Sequence, residues 1–161
     1  MSLEDVTLRD VTDADLDILF EQQLDPGANY MAGFTVKDPA DRDAFMAKWA
    51  RIMADETITV QTIVFGGAVA GSVLCWRDPE LAHPEVSYWL GREFWGKGLA
   101  TRALGELVDV VTARPLHAWV AKSNVGSVRV LEKCGFVVAG SRAEVDEKLG
   151  ERIEELLFEL G

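Results

Sequence analysis

The stretch YWLGREFWGKGLATRALGEL, residues 88–107, carries the strongest structural signal in the chain. It passes from an aromatic, strand-like segment through a glycine-punctuated turn directly into a sequence that favours a helix. Gly96 and Gly98 allow backbone N–H groups to approach a ligand without hindrance from a Cβ atom. The predicted helix presents unpaired N–H groups and the positive end of its dipole at this turn. The arrangement is typical of a phosphate or pyrophosphate site, although a lone G-x-G also occurs in ordinary tight turns.

Two well-known phosphate-binding motifs are excluded by the residues around this turn. A P-loop requires Ser or Thr directly after a Gly-Lys pair, whereas Lys97 is followed by Gly98. A dinucleotide fingerprint requires a third glycine where this chain has Thr101, and Asp109 falls inside the predicted helix instead of binding a ribose. The turn therefore predicts an anion site of another kind.

The composition is that of one ordinary globular domain covering residues 1–161. Hydrophobic residues make up 48% of the chain and charged residues 27%. No apolar run approaches the roughly 20 residues that a membrane span needs. The acidic beginning MSLEDVTLRD lacks the apolar core of a signal peptide. We expect a cytoplasmic protein that does not bind a membrane.

The net charge and the positions of cysteine and histidine limit the classes of ligand that the sequence predicts. The net charge of −11 has the wrong sign for displacing phosphate counterions, so nucleic acid is not an expected partner. An acidic surface attracts cationic small molecules or basic peptide ends, or serves solubility alone. The cysteines, Cys75 and Cys134, and the histidines, His83 and His117, stand apart in the sequence, so no metal site is expected.

The pattern along the chain alternates strands and helices. Helices that interrupt a run of strands indicate a mixed sheet covered on both faces, an α/β fold. The expected elements are a strand at 6–11, a helix capped by Thr12 with Asp15, a second helix starting at Asp38–Pro39, strands at 58–65 and 68–76 joined through Gly66 and Gly67, a strand at 84–90, a helix at 98–111, a strand at 116–121, a helix capped by Asn124, and two closing strands on either side of Gly150.

Two motifs together resemble a known family. The pattern E-x-x-G-x-G-x-A at 93–100, followed by N-x-x-S-x-x-x-L-E-K-x-G-F at 124–136, is similar to the GNAT acetyltransferase superfamily. The details are closest to its branch of ribosomal-protein N-terminal acetyltransferase-like (Rim-type) proteins, and the resemblance covers nearly the whole chain. It implies a mixed sheet of about seven strands with about four helices on both faces. It also implies acetyl-CoA as co-substrate, without a metal.

The resemblance assigns cofactor-binding residues. The glycine turn would hold the pyrophosphate, and the preceding strand would bend or bulge so that its backbone faces the pantetheine arm and one N–H polarises the thioester carbonyl. Asn124 and Ser127 also suit a helix cap and a first helical turn. The implied cofactor residues are Trp89, Leu90, Gly96, Lys97, Gly98, Leu99, Ala100, Thr101, Asn124, Ser127, Val130 and Lys133.

The implied reaction is direct attack of a primary amine on the thioester. Leu131 occupies the position where many family members carry a tyrosine acid, so Ser127 or solvent remains to protonate the thiolate. Glu85 matches a base used by some members, but a solvent-facing strand carboxylate explains it equally well. Glu144 and Asp146 are weaker candidates for the base.

The acceptor is not named by the sequence. Tyr30 and Phe34, between the first two helices, are the expected substrate-binding residues. An amine-bearing small molecule and a peptide N-terminus both stay open, as does a homodimer. Because the usual tyrosine is missing, a non-catalytic acyl-CoA-binding or sensor domain on the same fold remains the alternative.

Overall fold

The structure is a computed structural model that describes residues 5–25, 38, 40–77, 83–146 and 150–161. Within these ranges, seven strands and four α-helices follow one another in the predicted order. They are β1 (Val6–Asp10), α1 (Asp13–Gln23), α2 (Arg42–Ala54), β2 (Thr59–Phe65), β3 (Ala68–Trp76), β4 (Glu85–Leu90), α3 (Leu99–Val110), β5 (Leu116–Ala121), α4 (Val125–Lys133), β6 (Val137–Asp146) and β7 (Glu151–Leu160). In the described ranges no helix combines the length and the apolar character that crossing a bilayer requires.

The strands form one mixed sheet. Its order is β1-β2-β3-β4-β5-β7-β6, with β4 and β5 parallel and the other neighbours antiparallel. The α/β class, the seven strands and the four helices that the sequence predicts are therefore confirmed. The β2–β3 hairpin turns as expected through Gly66 and Gly67, whose φ angles of 57° and 83° suit a two-residue turn with left-handed backbone.

The expected start of the second helix is wrong. Helix α2 begins at Arg42, not at Asp38–Pro39. The reason is the better cap, because the Asp41 carboxylate accepts the N–H of Ala44 at 2.9 Å. The side chain of Asp38 instead accepts the N–H of Ala40, in the turn before the helix.

Helices cover both faces of the sheet, as predicted. Apolar residues of α3 and α4 pack against alternate residues of the strands on one face, in a cluster that includes Leu104, Leu107, Leu131, Ile63 and Phe158. A second cluster, formed by α1 and α2, lies on the other face and is built around Leu19, Phe20, Phe45 and Trp49. Residues of one strand alternate between the two clusters because successive side chains point to opposite faces.

The parallel strands β4 and β5 separate almost at once. They pair only at Glu85 and His117, where the N–H of His117 donates to the carbonyl of Pro84 at 2.9 Å. Beyond this pair the sheet opens into a gap between β4 and β5, which we call the wedge. Helix α3 follows β4 and helix α4 follows β5, so the residues that begin both helices flank the wedge.

A buried carboxylate joins the first helix to the sheet. Asp15 is only 2% exposed and takes two hydrogen bonds from the Arg9 guanidinium, at 2.6 and 2.8 Å. It also accepts the Thr62 hydroxyl at 2.9 Å and the Thr12 N–H at 2.9 Å. The Arg9 hydrogen bonds hold the pKa of Asp15 well below its usual range. This carboxylate therefore connects β1, β2 and α1.

Replacing Asp15 by Asn should destabilise the fold by about 2 kcal/mol at pH 7, because hydrogen bonds to a charged group are lost. The folded pKa is depressed, so the ionised carboxylate contributes fully above the unfolded pKa of about 3.9 and progressively less as the pH falls below it. Urea unfolding of both proteins at pH 7 and pH 3 should give a stability difference that shrinks at pH 3. A difference that is independent of pH would contradict this role.

Gly71 of β3 allows close approach of β4. A Cβ atom at this position would lie 1.8 Å from the carbonyl oxygen of Trp89. Gly71→Ala should therefore destabilise the fold by about 3 kcal/mol. Gly105→Ala is the matched control, because a Cβ atom in this part of α3 meets nothing within 4 Å. Since alanine favours a helix, the control should gain roughly 0.5–1 kcal/mol in urea unfolding.

Candidate active site

The glycine turn ends in a left-handed cap at the start of α3. Gly96 and Gly98 have φ angles of 73° and 79°, which only glycine adopts readily. Gly98 is the N-cap residue and has no side chain to accept the first N–H groups of the helix. Leu99 and Ala100 are buried and anchor this turn, whereas Lys97 is exposed. The first N–H groups of α3 therefore have no side-chain cap. Together with the positive end of the helix dipole, they point out of the glycine turn.

Trp95 attaches this turn to the end of β4. Its indole N–H donates to the carbonyl of Leu90 at 3.0 Å. The guanidinium of Arg92 lies 5.7 Å from the centre of the Trp95 ring, within the range of a cation–π contact. The start of α3 is therefore fixed relative to the last residue of β4.

The backbone of β4 presents alternate residues to the wedge. The N–H of Gly91 donates to Ala70 of β3 at 2.9 Å, and Leu90 stands opposite Gly71. In an antiparallel ladder this pattern directs the backbone groups of Trp89 toward β3 and those of Tyr88 and Leu90 away from it. Of the two residues singled out from the sequence, Leu90 is the one whose N–H faces the wedge.

The β-bulge that the resemblance implies for β4 is not found in that strand, and a bulge occurs instead in the neighbouring pairing of β2 with β3. The β3–β4 register is continuous over the whole of β4, from Glu85 to Leu90, so no bulge interrupts this strand. The register shift falls instead between Ile63 and Val64, in the pairing of β2 with β3. Bulges bend a sheet and increase its local twist, so this bulge bends the sheet at β3, the strand that pairs with β4.

The start of α4 carries the residues that the second motif predicts. The side chain of Asn124 accepts the N–H of Ser127 at 3.1 Å, so its capping role is confirmed. The Ser127 hydroxyl oxygen accepts a hydrogen bond from the phenol of Tyr88 at 2.7 Å. Burial raises the pKa of Tyr88 to about 12. This phenol therefore remains protonated at neutral pH.

Sequence reasoning missed Tyr88. The available signal was alternation, since Tyr88 shares its sheet face with Val86 and Leu90, whereas Glu85 and Trp89 point to the other face. That parity sends the Tyr88 side chain toward α4. The contact itself joins residues that are 39 positions apart, which no local pattern reveals.

The other α4 residues lie farther along the helix. Val130 packs against the core, and Leu131 is 3% exposed within it, so the leucine fills an apolar site. Lys133 is exposed at the far end of α4. There the thiol of Cys134 donates to the carbonyl of Thr101 at 3.5 Å, so the end of α4 lies beside the first turn of α3.

Glu85 lies at the closed end of the wedge. It is half-buried and stands opposite His117 in the register. His117 approaches the Glu159 carboxylate at 3.1 Å, and its ring contacts that of His83 with centroids 4.8 Å apart. Glu85 and Tyr88 point to opposite sheet faces, so the structure does not bring Glu85 to the Tyr88–Ser127 pair.

Some predicted site residues lie outside the described part of the chain. These are Tyr30 and Phe34, together with the side chains of Glu144 and Asp146. No three histidine, cysteine, aspartate or glutamate side chains of the described residues converge as they would around a metal ion.

Comparison with known proteins gives one family. The family model "Acetyltransferase (GNAT) domain" matches residues 5–137. A curated relative, the uncharacterised N-acetyltransferase p20 of Bacillus licheniformis, is 30% identical over 87 residues. The match covers 52% of this chain and 49% of the relative, so the chain spans about half the length of that protein.

Solved structures share the fold at low identity. A spermidine N-acetyltransferase from Vibrio cholerae, in complex with CoA and spermine, superposes with a TM-score of 0.83 at 18% identity, over 98% of this chain and 95% of the other. A ribosomal-protein-alanine N-acetyltransferase from Brucella melitensis gives 0.82 at 20% identity, over 96% and 98%. At such identity the likeness concerns the fold alone.

Proposed function

This chain belongs to the acetyltransferase (GNAT) family, and we propose that it transfers the acetyl group of acetyl-CoA to a primary amine by direct attack on the thioester. We treat residues 1–161 as a single catalytic domain. One observation carries the proposal: the wedge opens after a single β4–β5 pair, and the left-handed glycine turn of α3 lies at its end. The two features together suit an extended thioester arm that ends in a pyrophosphate.

The first turn of α3 fits the pyrophosphate. Backbone N–H groups from Gly96 to Thr101 would bind the phosphate oxygens, and the helix dipole favours their charge. Lys97 within this turn and Lys133 at the end of α4 are exposed cations that would add attraction. No side chain stands at the glycines, so phosphates can approach the backbone closely.

The β4 backbone fits the acetylated end of the arm. The Leu90 N–H faces the wedge and would donate to the thioester carbonyl as negative charge develops on its oxygen. The Ser127 hydroxyl, on the α4 side, would donate to the departing sulfur. These two donors would stabilise the two atoms that gain charge when the amine attacks.

Glu85 is the proposed base. An α-amino group with a pKa near 7.7–8.0 is about one-third neutral at pH 7.5, whereas a lysine is only about 0.1% neutral. A carboxylate that removes the proton, directly or through water, therefore matters more for an alkyl amine. Glu85 points to the face opposite Tyr88, so the amine would arrive from one face while the thiolate leaves toward the other.

Within the superfamily, the proposed branch is the Rim-type one, and the proposed acceptor is a peptide N-terminus. The motifs at 93–100 and 124–136 support the branch, and the net charge of −11 supports an acceptor that carries positive charge. Tyr30 and Phe34 remain the proposed acceptor-binding residues. A small-molecule amine is the second class of acceptor.

A non-catalytic acyl-CoA-binding domain is the alternative. The observation that favours it is Leu131, which is buried in the core where many relatives carry their acid. Release of CoA thiol from acetyl-CoA, measured against peptides with different N-termini, polyamines and amino acids, tests both functions. Turnover with one class establishes the enzyme and its acceptor. Acetyl-CoA binding without turnover across the panel would favour the alternative.

Gly98→Glu should abolish acetyl-CoA binding, because a carboxylate would stand where the pyrophosphate is proposed to bind. Any side chain at Gly98 is strained by its φ of 79°, so Gly98→Ala is the matched control for the backbone. Calorimetry should show that Gly98→Glu binds acetyl-CoA at least ten times more weakly than Gly98→Ala does, a difference of about 1.4 kcal/mol in binding free energy. Equal losses would contradict the placement of the phosphates.

Glu85→Gln should lower kcat/KM by about 100-fold and flatten the acidic limb of the pH profile, because the general base is removed. Glu159→Gln is the matched control, since Glu159 pairs with His117 from β7 as Glu85 does from β4, and its carboxylate lies 3.1 Å from the His117 ring. The control should keep the pH profile of the unmodified protein. An unchanged profile in Glu85→Gln would assign Glu85 to the surface, and a flattened profile in the control alone would transfer the role to Glu159.

A further inference from the structure

We propose that Tyr88 is a positioning residue, which directs the Ser127 hydroxyl hydrogen into the wedge so that it donates to the sulfur of the departing thiolate. The inference rests on the proposed function and adds to it a residue outside both sequence motifs. Its basis is the 2.7 Å contact between the Tyr88 phenol and the Ser127 hydroxyl oxygen.

The direction of this hydrogen bond follows from the chemistry of the two groups. A phenol is more acidic than an aliphatic hydroxyl and is therefore the better donor of the two, so the protonated Tyr88 phenol donates to the Ser127 oxygen. A hydroxyl has one hydrogen and two acceptor lone pairs. Because Tyr88 uses one lone pair, the single Ser127 hydrogen must point elsewhere, and rotation about the Cβ–Oγ bond is restricted.

The backbone of Ser127 is fixed as well. Its N–H donates to the Asn124 side chain at 3.1 Å, in the first turn of α4. Both ends of the residue are therefore held, the amide from α4 and the hydroxyl from β4. Such preorganised donors stabilise developing charge without reorganising during the reaction.

The bonds and electrons balance without an added reactant. The amine nitrogen forms the new C–N bond, the C–S bond breaks, and its electron pair goes to sulfur. The amine proton leaves to Glu85 or water. The Ser127 hydrogen stays on its oxygen, because a thiol with a pKa near 8.5 is a far stronger acid than a serine hydroxyl. Ser127 therefore stabilises the thiolate by a hydrogen bond, and Tyr88 strengthens that donor through the chain.

A purely structural tie across the wedge is the competing explanation. The variants that separate the two are Tyr88→Phe, which keeps the ring and removes only the phenol oxygen, and Ser127→Ala. The positioning role predicts that Tyr88→Phe lowers kcat roughly tenfold with little change in KM, the scale of one hydrogen bond to a charged group. In the Ser127→Ala background the same change should have almost no further effect.

A second measurement works without turnover. A donor aimed at the sulfur stabilises the thiolate, so it lowers the thiol pKa of bound CoA. An ultraviolet titration of the thiolate of bound CoA should give a pKa about one unit higher in Tyr88→Phe and in Ser127→Ala than in the unmodified protein. The double variant should match Ser127→Ala.

The outcomes are distinguishable from failure of the proposed function. CoA binding with the expected thiol shifts supports the positioning role, even if no amine in the panel reacts. An unchanged thiol pKa in Tyr88→Phe, or effects of the two variants that simply add, would overturn it in favour of a structural tie. Absence of CoA binding in the unmodified protein would overturn the proposed function and this inference together.

Discussion

The ladder between β4 and β5 consists of one pair, Glu85 with His117, and the position of the candidate site follows from where that ladder ends. Parallel neighbours in a sheet ordinarily share a continuous ladder, since each unpaired N–H or carbonyl group needs another partner. Here the ladder stops at Glu85, and the backbone groups of Tyr88 and the N–H of Leu90 face a gap, whereas the Leu90 carbonyl accepts the Trp95 indole N–H. An extended ligand with its own amide groups would supply the partners that β5 does not.

A gap through the middle of a sheet would weaken most domains, and two features compensate for it. The core under α3 and α4 unites apolar side chains from both sides of the wedge, among them Ile63 of β2 and Phe158 of β7. On the opposite face, Asp15 fixes α1 to β1 and β2 through a buried, charged hydrogen-bond cluster. The walls of the wedge are therefore held by the core on one face and the Asp15 cluster on the other, in addition to the Tyr88–Ser127 hydrogen bond that joins β4 to α4.

The sequence predicts the elements well because their signals are local. Gly66 and Gly67 specify their hairpin, and Gly96 and Gly98 specify the cap of α3, through backbone angles that other residues adopt poorly. The start of α2 was misplaced because Asp41 caps better than the Asp38–Pro39 pair. Tyr88 was missed because its partner lies on another element, and the wedge-facing role of Leu90 depends on register with β3.

The cap of α3 also determines how the site responds to its surroundings. Its donors are main-chain amides, which do not titrate in the physiological range, and the conformation of Gly96 and Gly98 does not depend on protonation. An α-amino group, by contrast, has an ordinary pKa of about 7.7–8.0 and changes its charge close to that range. In the proposed function, binding of the pyrophosphate and the chemistry at the thioester would thereby depend on different groups. In that proposal a change of pH would alter the rate of acyl transfer while the occupancy by acetyl-CoA stays nearly constant.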